Sequence, residues 1–258
     1  MVRHIMSILR LIKSIRIWLW ILLSVFILIT AFIAYVFLTL PDVTDFKTHN
    51  PKKTALMKSR TEQAEQEGKN LVVKQEWVSF KDIPQLLKDT VRIAEDSNFY
   101  WHKGIDYEEL KEAIKRNIRE KRFARGASTI TQQLAKNLFL STRRSPVRKI
   151  KEYLIARKLE KALTKDRIFE LYLNFIELGQ GVFGVQAASN LYFGHSVEEL
   201  TLEEIVRLTA IIPQPLKTDP TGNSPWLQWR GRWLLHKLLL YKYISEDTYK
   251  EIIELFSE

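Results

Sequence analysis

The residues of this chain best suited to chemistry are two glutamates and a set of cations. Ala94–Asp106 reads A-E-D-S-N-F-Y-W-H-K-G-I-D. Glu95 and Asp96 close a helix-periodic run, Gln85 to Ala94, and three aromatics, a histidine and a glycine follow before a second helix starts near Asp106. A carboxylate at such a helix end can act as a general base, its pKa raised by apolar neighbours and lowered by cations. The same residues can equally form a solvated acidic pair beside aromatics that belong to the core.

Gly126–Leu140 reads G-A-S-T-I-T-Q-Q-L-A-K-N-L-F-L. Ser128, Thr129 and Thr131 crowd a helix entry, where free backbone N–H groups and hydroxyls together suit an anion. Gln132 and Lys136 share one face at i, i+4, as do Gln133 and Asn137. An ordinary capped amphipathic helix has the same pattern. Arg148, Lys149 and Glu152 follow, with Arg148 and Glu152 again four apart. They form either a surface ion pair worth under about 1 kcal/mol or a second active-site carboxylate held by cations that also receive phosphate. Two glutamates with several Lys and Arg suit a reaction that deprotonates a hydroxyl while a phosphate leaving group is neutralised.

Other motifs exclude chemistry. Gly179–Gly184 (G-Q-G-V-F-G) matches a dinucleotide fingerprint, but a helix-periodic stretch, Ile168–Phe175, precedes it rather than a strand. These glycines are expected to make a tight turn that lets helices approach. His102 lacks metal-ligand spacing and is expected to orient a neighbour through a hydrogen bond. Without cysteine, no disulfide, zinc-thiolate site or thiol nucleophile can form. Neither S-x-x-K nor K-T-G occurs, so that type of serine acyl-transfer site is absent.

The elements that must position these groups are mostly helical in pattern. Leu71–Phe80 is the one convincing β-prone run, a short strand or extended brace. Leu86/Leu87, Val91 and Ala94 recur at helical spacing, as do Leu110, Ile114 and Ile118 with Glu108, Glu112 and Lys115 on the polar side. Val147, Ile150, Leu154 and Ile155 mark another helix. Thr164 and Asp166 suit the start of the next, which carries Ile168, Leu171, Tyr172 and Phe175. Thr201 with Glu204 makes a capping-box pattern before Ile205–Ile212. A last helix, roughly Trp226–Tyr241, repeats Trp226, Trp229 and Trp233 as core or a membrane-facing surface.

Ile17 to Leu40 is an uncharged run of 24 residues, about 36 Å as a helix and enough for a hydrocarbon core. Arg3, Arg10, Lys13 and Arg16 precede it, which places that flank in the cytoplasm; Trp18, Trp20 and Tyr35 lie towards the interfaces. The run is longer than a signal-peptide core and lacks a small-residue cleavage site. Residues 1–16 are therefore a cytoplasmic basic flank, 17–40 a transmembrane helix and 41–68 a polar juxtamembrane linker that gains helix near Thr54–Glu67. Of the net charge of +10, residues 41–258 keep +6, a balance suited to an anionic partner.

Together the segments 95–106, 126–137, R-K-I-K-E at 148–152, K-D-R-I-F-E-L-Y-L-N at 165–174 and G-Q-G-V-F-G-V-Q-A-A-S-N-L-Y-F at 179–193 resemble the peptidoglycan glycosyltransferase family, the transglycosylase module of bifunctional penicillin-binding proteins. The likeness covers about residues 70–220. N-P-K-K-T-A-L-M at 50–57 and the closing R-G-R-W helix look like the monofunctional branch, and the chain ends where a transpeptidase domain would begin. Arg125 departs from the pattern, which often has a second glycine before G-A-S-T.

The resemblance implies a mainly α, lysozyme-like two-lobed domain at 69–258 with a substrate cleft and a membrane-touching segment. It implies lipid II and the growing glycan strand as substrates, the membrane as a partner, and no nucleic acid. It also implies residence on the bacterial cytoplasmic (inner) membrane, N-terminus in and domain outside. By position, Glu95 would be the general base and Glu152 the second essential carboxylate. Lys136, Arg148 and Lys149 would offset the leaving diphosphate. Ser128, Thr129, Gln132, Gln133 and Asn137 would hold donor sugar and phosphate, and Asp96, Phe99 and His102 would shape the site around Glu95. Mg²⁺ or Mn²⁺ on the pyrophosphate suits its oxygen ligands, though no dedicated metal site is visible and no organic cofactor is implied. A lytic enzyme acting on finished peptidoglycan would also use carboxylates, without needing the cation cluster. An inactive membrane-anchored scaffold is the third reading.

Overall fold

A computed structural model describes residues 2–120, 128–143 and 145–256, with side chains from Ser14 onward. It forms two compact units, Met1–Pro41 and Asp42–Glu258. The first is one helix, α1 (Val2–Leu38), whose Ser14–Leu38 portion is long and apolar enough to cross a membrane. It ends two residues before the expected Leu40, where the Thr39 hydroxyl bonds back to the Tyr35 carbonyl at 2.7 Å.

The second unit begins at Asp42, so residues 42–68 are packed structure where a linker was expected. Thr54 caps α2 (Ala55–Gln66), accepting from the Met57 N–H at 3.1 Å, and Leu56, Met57 and Ala64 are buried. Val43 is buried as well, and the Phe46 ring lies 5.6 Å from that of Phe139. After it the chain runs extended through β1 (Lys74–Gln75), shorter than the expected brace. β1 pairs in parallel with β3 (Val182–Phe183), which pairs antiparallel with β2 (Glu177–Gly179). The glycine-rich segment is therefore a hairpin. Gly181 has φ +74° and a Cβ there would meet the Val72 carbonyl oxygen at 2.7 Å, so the turn admits only glycine without strain.

The remaining chain is helical, as its periodicity indicates. α3 (Gln85–Glu95), α4 (Tyr107–Glu120), α5 (Ile130–Phe139), α6 (Pro146–Ala162), α7 (Lys165–Phe175), α8 (Val185–Tyr192), α9 (Leu202–Ile211), α10 (Pro225–Leu240) and α11 (Glu246–Ile253) follow in order. Thr164 caps α7, and the Thr201–Glu204 capping box opens α9 as expected. α5 packs against α2, α6 and α7, while α9 packs against α3 and α10. Seven of the ten residues of α5 are buried, so its polar side chains must find partners inside the protein.

Three apolar faces differ from expectation. On α4, Leu110, Ile114 and Ile118 are exposed, Ile118 by 74%, and of this helix only Ala113 is buried among the described residues. Helical spacing aligns those side chains without burying them among the described residues. On α6, Ile150 is exposed while Ile155, Ala156 and Leu159 face inward. On α10 the buried stripe is Leu227, Gly231, Leu234, Leu235 and Leu238, and Trp229 is half exposed. The leucines hold the inward face and the tryptophans flank it.

Asn174, fully buried near the end of α7, ties the extended chain after β1 to the helical core. Its amide donates to the Val78 and Glu170 carbonyls at 2.9 Å and accepts from the Val78 N–H at 2.8 Å. Asn174→Ala would strand both polar groups of Val78, and is expected to lower unfolding stability by about 3 kcal/mol in a denaturant titration.

Candidate active site

α3 delivers two acids to one spot and sends them apart. Asp96, at φ −164°, caps the helix, and its carboxylate, only 8% exposed, accepts from the Ile130 N–H at the first turn of α5 at 3.0 Å. His102 Nε2 donates to the same carboxylate at 2.9 Å, and its Nδ1 accepts from the Gly104 N–H. That pairing assigns the ring proton to Nε2. Thr129 donates to the Gly104 carbonyl at 2.7 Å and forms a reciprocal capping box with Gln132. Phe99 is fully buried, its ring 5.4 Å from Phe169 with the Lys165 ammonium over it at 4.4 Å.

Of the expected substrate-binding residues, Asp96 and Thr129 join the 96–106 loop to α5, His102 braces Asp96, Gln132 closes the capping box of α5 and Phe99 packs on Phe169 of α7. Asp96 and Thr129 still reach a cavity wall, but their polar atoms bond inward. Phe99, expected to shape the site, lies in the core.

Glu95 is the acid left for chemistry. Its side chain is 12% exposed, and Oε2 accepts from Gln133 Nε2 at 2.9 Å. Gln133, expected on the donor sugar, therefore holds the base. Among the described residues, Oε1 meets only the Arg230 guanidinium, 3.8 Å away. Arg230, from α10, also donates to the Ala94 carbonyl at 3.2 Å and lies 4.2 Å over the Trp233 ring. Burial raises the Glu95 pKa above the ordinary glutamate value; Gln133, Arg230 and Lys136 pull it down and Asp96 pushes it up. Glu95, Ser128, Thr129, Trp233, Lys237 and Tyr241 line a cavity of about 320 Å³.

The cations gather in an adjoining cleft of about 500 Å³. Glu152, buried, is held by Arg148 at 3.0 Å and by Lys149, which also donates to the Ser128 hydroxyl at 3.2 Å. Lys136 lies half-buried in the same cleft: loss of water lowers its pKa, and the nearby Glu152 draws it back up. Asn137 Oδ1 is buried without a protein partner among the described residues. Arg60, from α2, enters the same cleft in a two-pronged ion pair with Glu177 at 2.6 and 2.7 Å. Among the described residues, four cations face two acids on this wall, an excess suited to a diphosphate. Ser128 lines both cavities, and Gln133 lines the cleft while bonding Glu95. Gly126 and Arg125 lie outside the described residues. No cluster of three or more His, Asp or Glu suits a metal among the described residues.

Sequence reasoning missed Arg60 and Arg230. Arg60 sat in the stretch read as linker. Arg230 lay in the R-G-R-W helix, whose basic and aromatic residues were a signal without an address.

A family model described as Transglycosylase matches residues 62–239, which hold all of these groups except Arg60 and Tyr241. The chain belongs to the transglycosylase family. Among its relatives, a biosynthetic peptidoglycan transglycosylase of Nitrosospira multiformis is 36% identical over 221 residues, covering 86% of this chain and 95% of the relative. A protein of the same name from Herminiimonas arsenicoxydans is 37% identical over 219 residues, 85% of this chain and 94% of its own. A solved structure of penicillin-binding protein 1A from Haemophilus influenzae aligns with 71% of this chain and 18% of its own, at 22% identity and a TM-score of 0.41.

A buried base has a stability signature. Below the ordinary pKa of 4.5, Glu95 is protonated in both folded and unfolded chains. As pH rises past it, the unfolded chain releases its proton while the folded chain retains it, so stability falls until the raised folded pKa is passed. Glu95→Gln cannot titrate. It is expected to melt a few degrees above wild type at about pH 8, with the two curves converging near about pH 4 in a thermal-shift series.

Proposed function

We propose that this protein is a peptidoglycan glycosyltransferase that polymerises lipid II into β-1,4-linked glycan strands. The observation that carries this reading is the pairing of two adjoining cavities, one holding a buried carboxylate of raised pKa and the other four cations against two acids. Gln133 occupies one oxygen of Glu95, which leaves Oε1 open to the 4-hydroxyl of the acceptor sugar. A carboxylate with its pKa moved towards neutrality is a better proton acceptor at working pH than an exposed one.

As Glu95 takes the proton, the acceptor oxygen bonds to the anomeric carbon of the donor. The bond from that carbon to the diphosphate breaks on the opposite face, inverting the centre, and its electron pair leaves with the lipid diphosphate. Lys136, Arg148 and Lys149 meet that growing charge in a sheltered cleft, where fixed cations act most strongly. Glu152 is already held by Arg148 and Lys149, so it arranges cations rather than taking the proton. Mg²⁺ or Mn²⁺, if used, would be carried by the diphosphate oxygens. The excess of cations favours this reaction over hydrolysis of finished peptidoglycan, which releases no diphosphate.

Substrate and enzyme would share one membrane. The span at Ser14–Leu38 supports a single-pass anchor, and the basic N-terminal flank supports a cytoplasmic N-terminus with the domain outside the bacterial cytoplasmic membrane.

Detergent-solubilised full-length protein with labelled lipid II tests this reading. Wild type is expected to produce polymer ladders, and Glu95→Gln to slow them by about 10³-fold, the scale of general-base loss. Ladders retained in Glu95→Gln would move the base elsewhere. Fragments released from finished peptidoglycan, with no ladder from lipid II, would make the protein a lytic enzyme.

A further inference from the structure

Gln133 is an amide, and an amide has two unlike ends. Only one of them can serve Glu95: the N–H end donates to a carboxylate, whereas the carbonyl end would set acceptor against acceptor. In the fold, Gln133 Nε2 donates to Glu95 Oε2 at 2.9 Å, while Gln133 Oε1 accepts from the Tyr172 hydroxyl at 3.2 Å. Tyr172 lies on α7, fully buried, with its ring 6.3 Å from Phe169. Burial holds its phenol well above the ordinary value, so the hydroxyl keeps its proton and remains a donor throughout the working range.

Tyr172 lines neither the cleft nor the cavity beside Glu95, and its hydroxyl bonds to Gln133 alone among the described residues. A buried phenol spent on one amide oxygen costs desolvation unless the bond does something for the fold or the site. Gln133 itself lines the open cleft beside Lys136, so without an internal tie its side chain could turn towards substrate.

We infer that Tyr172 is a positioning residue that acts through Gln133 to aim and hold the general base. The inference rests on Glu95 being that base. The chain Tyr172–Gln133–Glu95 fixes which end of the amide faces the carboxylate and reserves Oε1 for the acceptor hydroxyl. It also polarises the amide, strengthening its N–H bond to the ionised acid. The other groups facing Glu95 are Lys136 on α5, Arg230 on α10 and the adjacent Asp96. None of them contacts the Tyr172 hydroxyl within hydrogen-bond distance among the described residues.

The test is a double-mutant cycle with two readouts in the full-length protein. Tyr172→Phe keeps the ring and removes the donor. It is expected to lower kcat about tenfold with KM within about twofold, and to move the acid limb of the pH profile upward, because Glu95 loses part of a bond that favours its charged form. In a Gln133→Leu background, Tyr172→Phe is expected to add nothing. A merely structural tyrosine would give multiplied effects and an unmoved acid limb, and either result overturns the inference.

Titration of the Glu95 carboxyl by infrared difference, wild type minus Glu95→Gln, gives the second readout without turnover. An upward shift in Tyr172→Phe supports the chain, and no shift overturns it even if wild type fails to polymerise lipid II. Should Tyr172→Phe not fold, 3-fluorotyrosine at position 172 keeps the shape and makes a stronger donor. It is then expected to move the Glu95 titration down; an unmoved or raised titration overturns the inference.

Discussion

Burying the Asp96 carboxylate is the constraint on which the site depends. A carboxylate taken out of water is costly unless hydrogen bonds replace the solvent. Here the replacements are the Ile130 N–H, at the positive end of α5, and the His102 ring. Satisfying this one group therefore brings the end of α3, the 96–106 loop and the start of α5 together. Because Asp96 leaves the helical conformation, Glu95 points elsewhere and arrives beside Gln133.

Burial then acts with opposite sign on the two halves of the cleft. It raises the pKa of Glu95 and lowers that of Lys136. The protein offsets each effect with the other charge: Lys136 and Arg230 restrain Glu95, and Glu152 restores Lys136. Glu152 also holds Arg148 and Lys149 in place, so in the proposed reaction less reorganisation would be needed as charge develops on the leaving group. A site of this kind holds its charges in tension, which is consistent with keeping an ionisable base where an amide would make a more stable fold.

The motifs that looked like a substrate cradle divide by what their polar atoms touch. Thr129 and Gln132 answer the free N–H groups at the start of α5, and His102 answers Asp96. Lys136, Asn137, Arg148 and Lys149 keep atoms on the cleft wall. A helix entry and a ligand cradle use the same residue types, because both are collections of unpaired donors.

Local physics was legible in the chain by itself. The apolar span, the caps at Thr164 and Thr201, the helical periodicity of α3 and the glutamate–cation spacing at 148–152 all concern residues within a few positions of one another, and their energetics need no distant partner. The resemblance in motif order supplied the identity of Glu95 and Glu152. What only the tertiary structure decided was which faces find partners. The α4 stripe at Leu110, Ile114 and Ile118 is as regular as any buried one, yet it is exposed. The polar segment 42–68 looked like a tether, yet it sends Arg60 to Glu177. Arg230 reaches Glu95 from α10, and Tyr172 reaches Gln133 from α7. Such contacts join residues far apart in the chain, so they leave no periodicity or spacing to read; they exist only once close packing has chosen the neighbours.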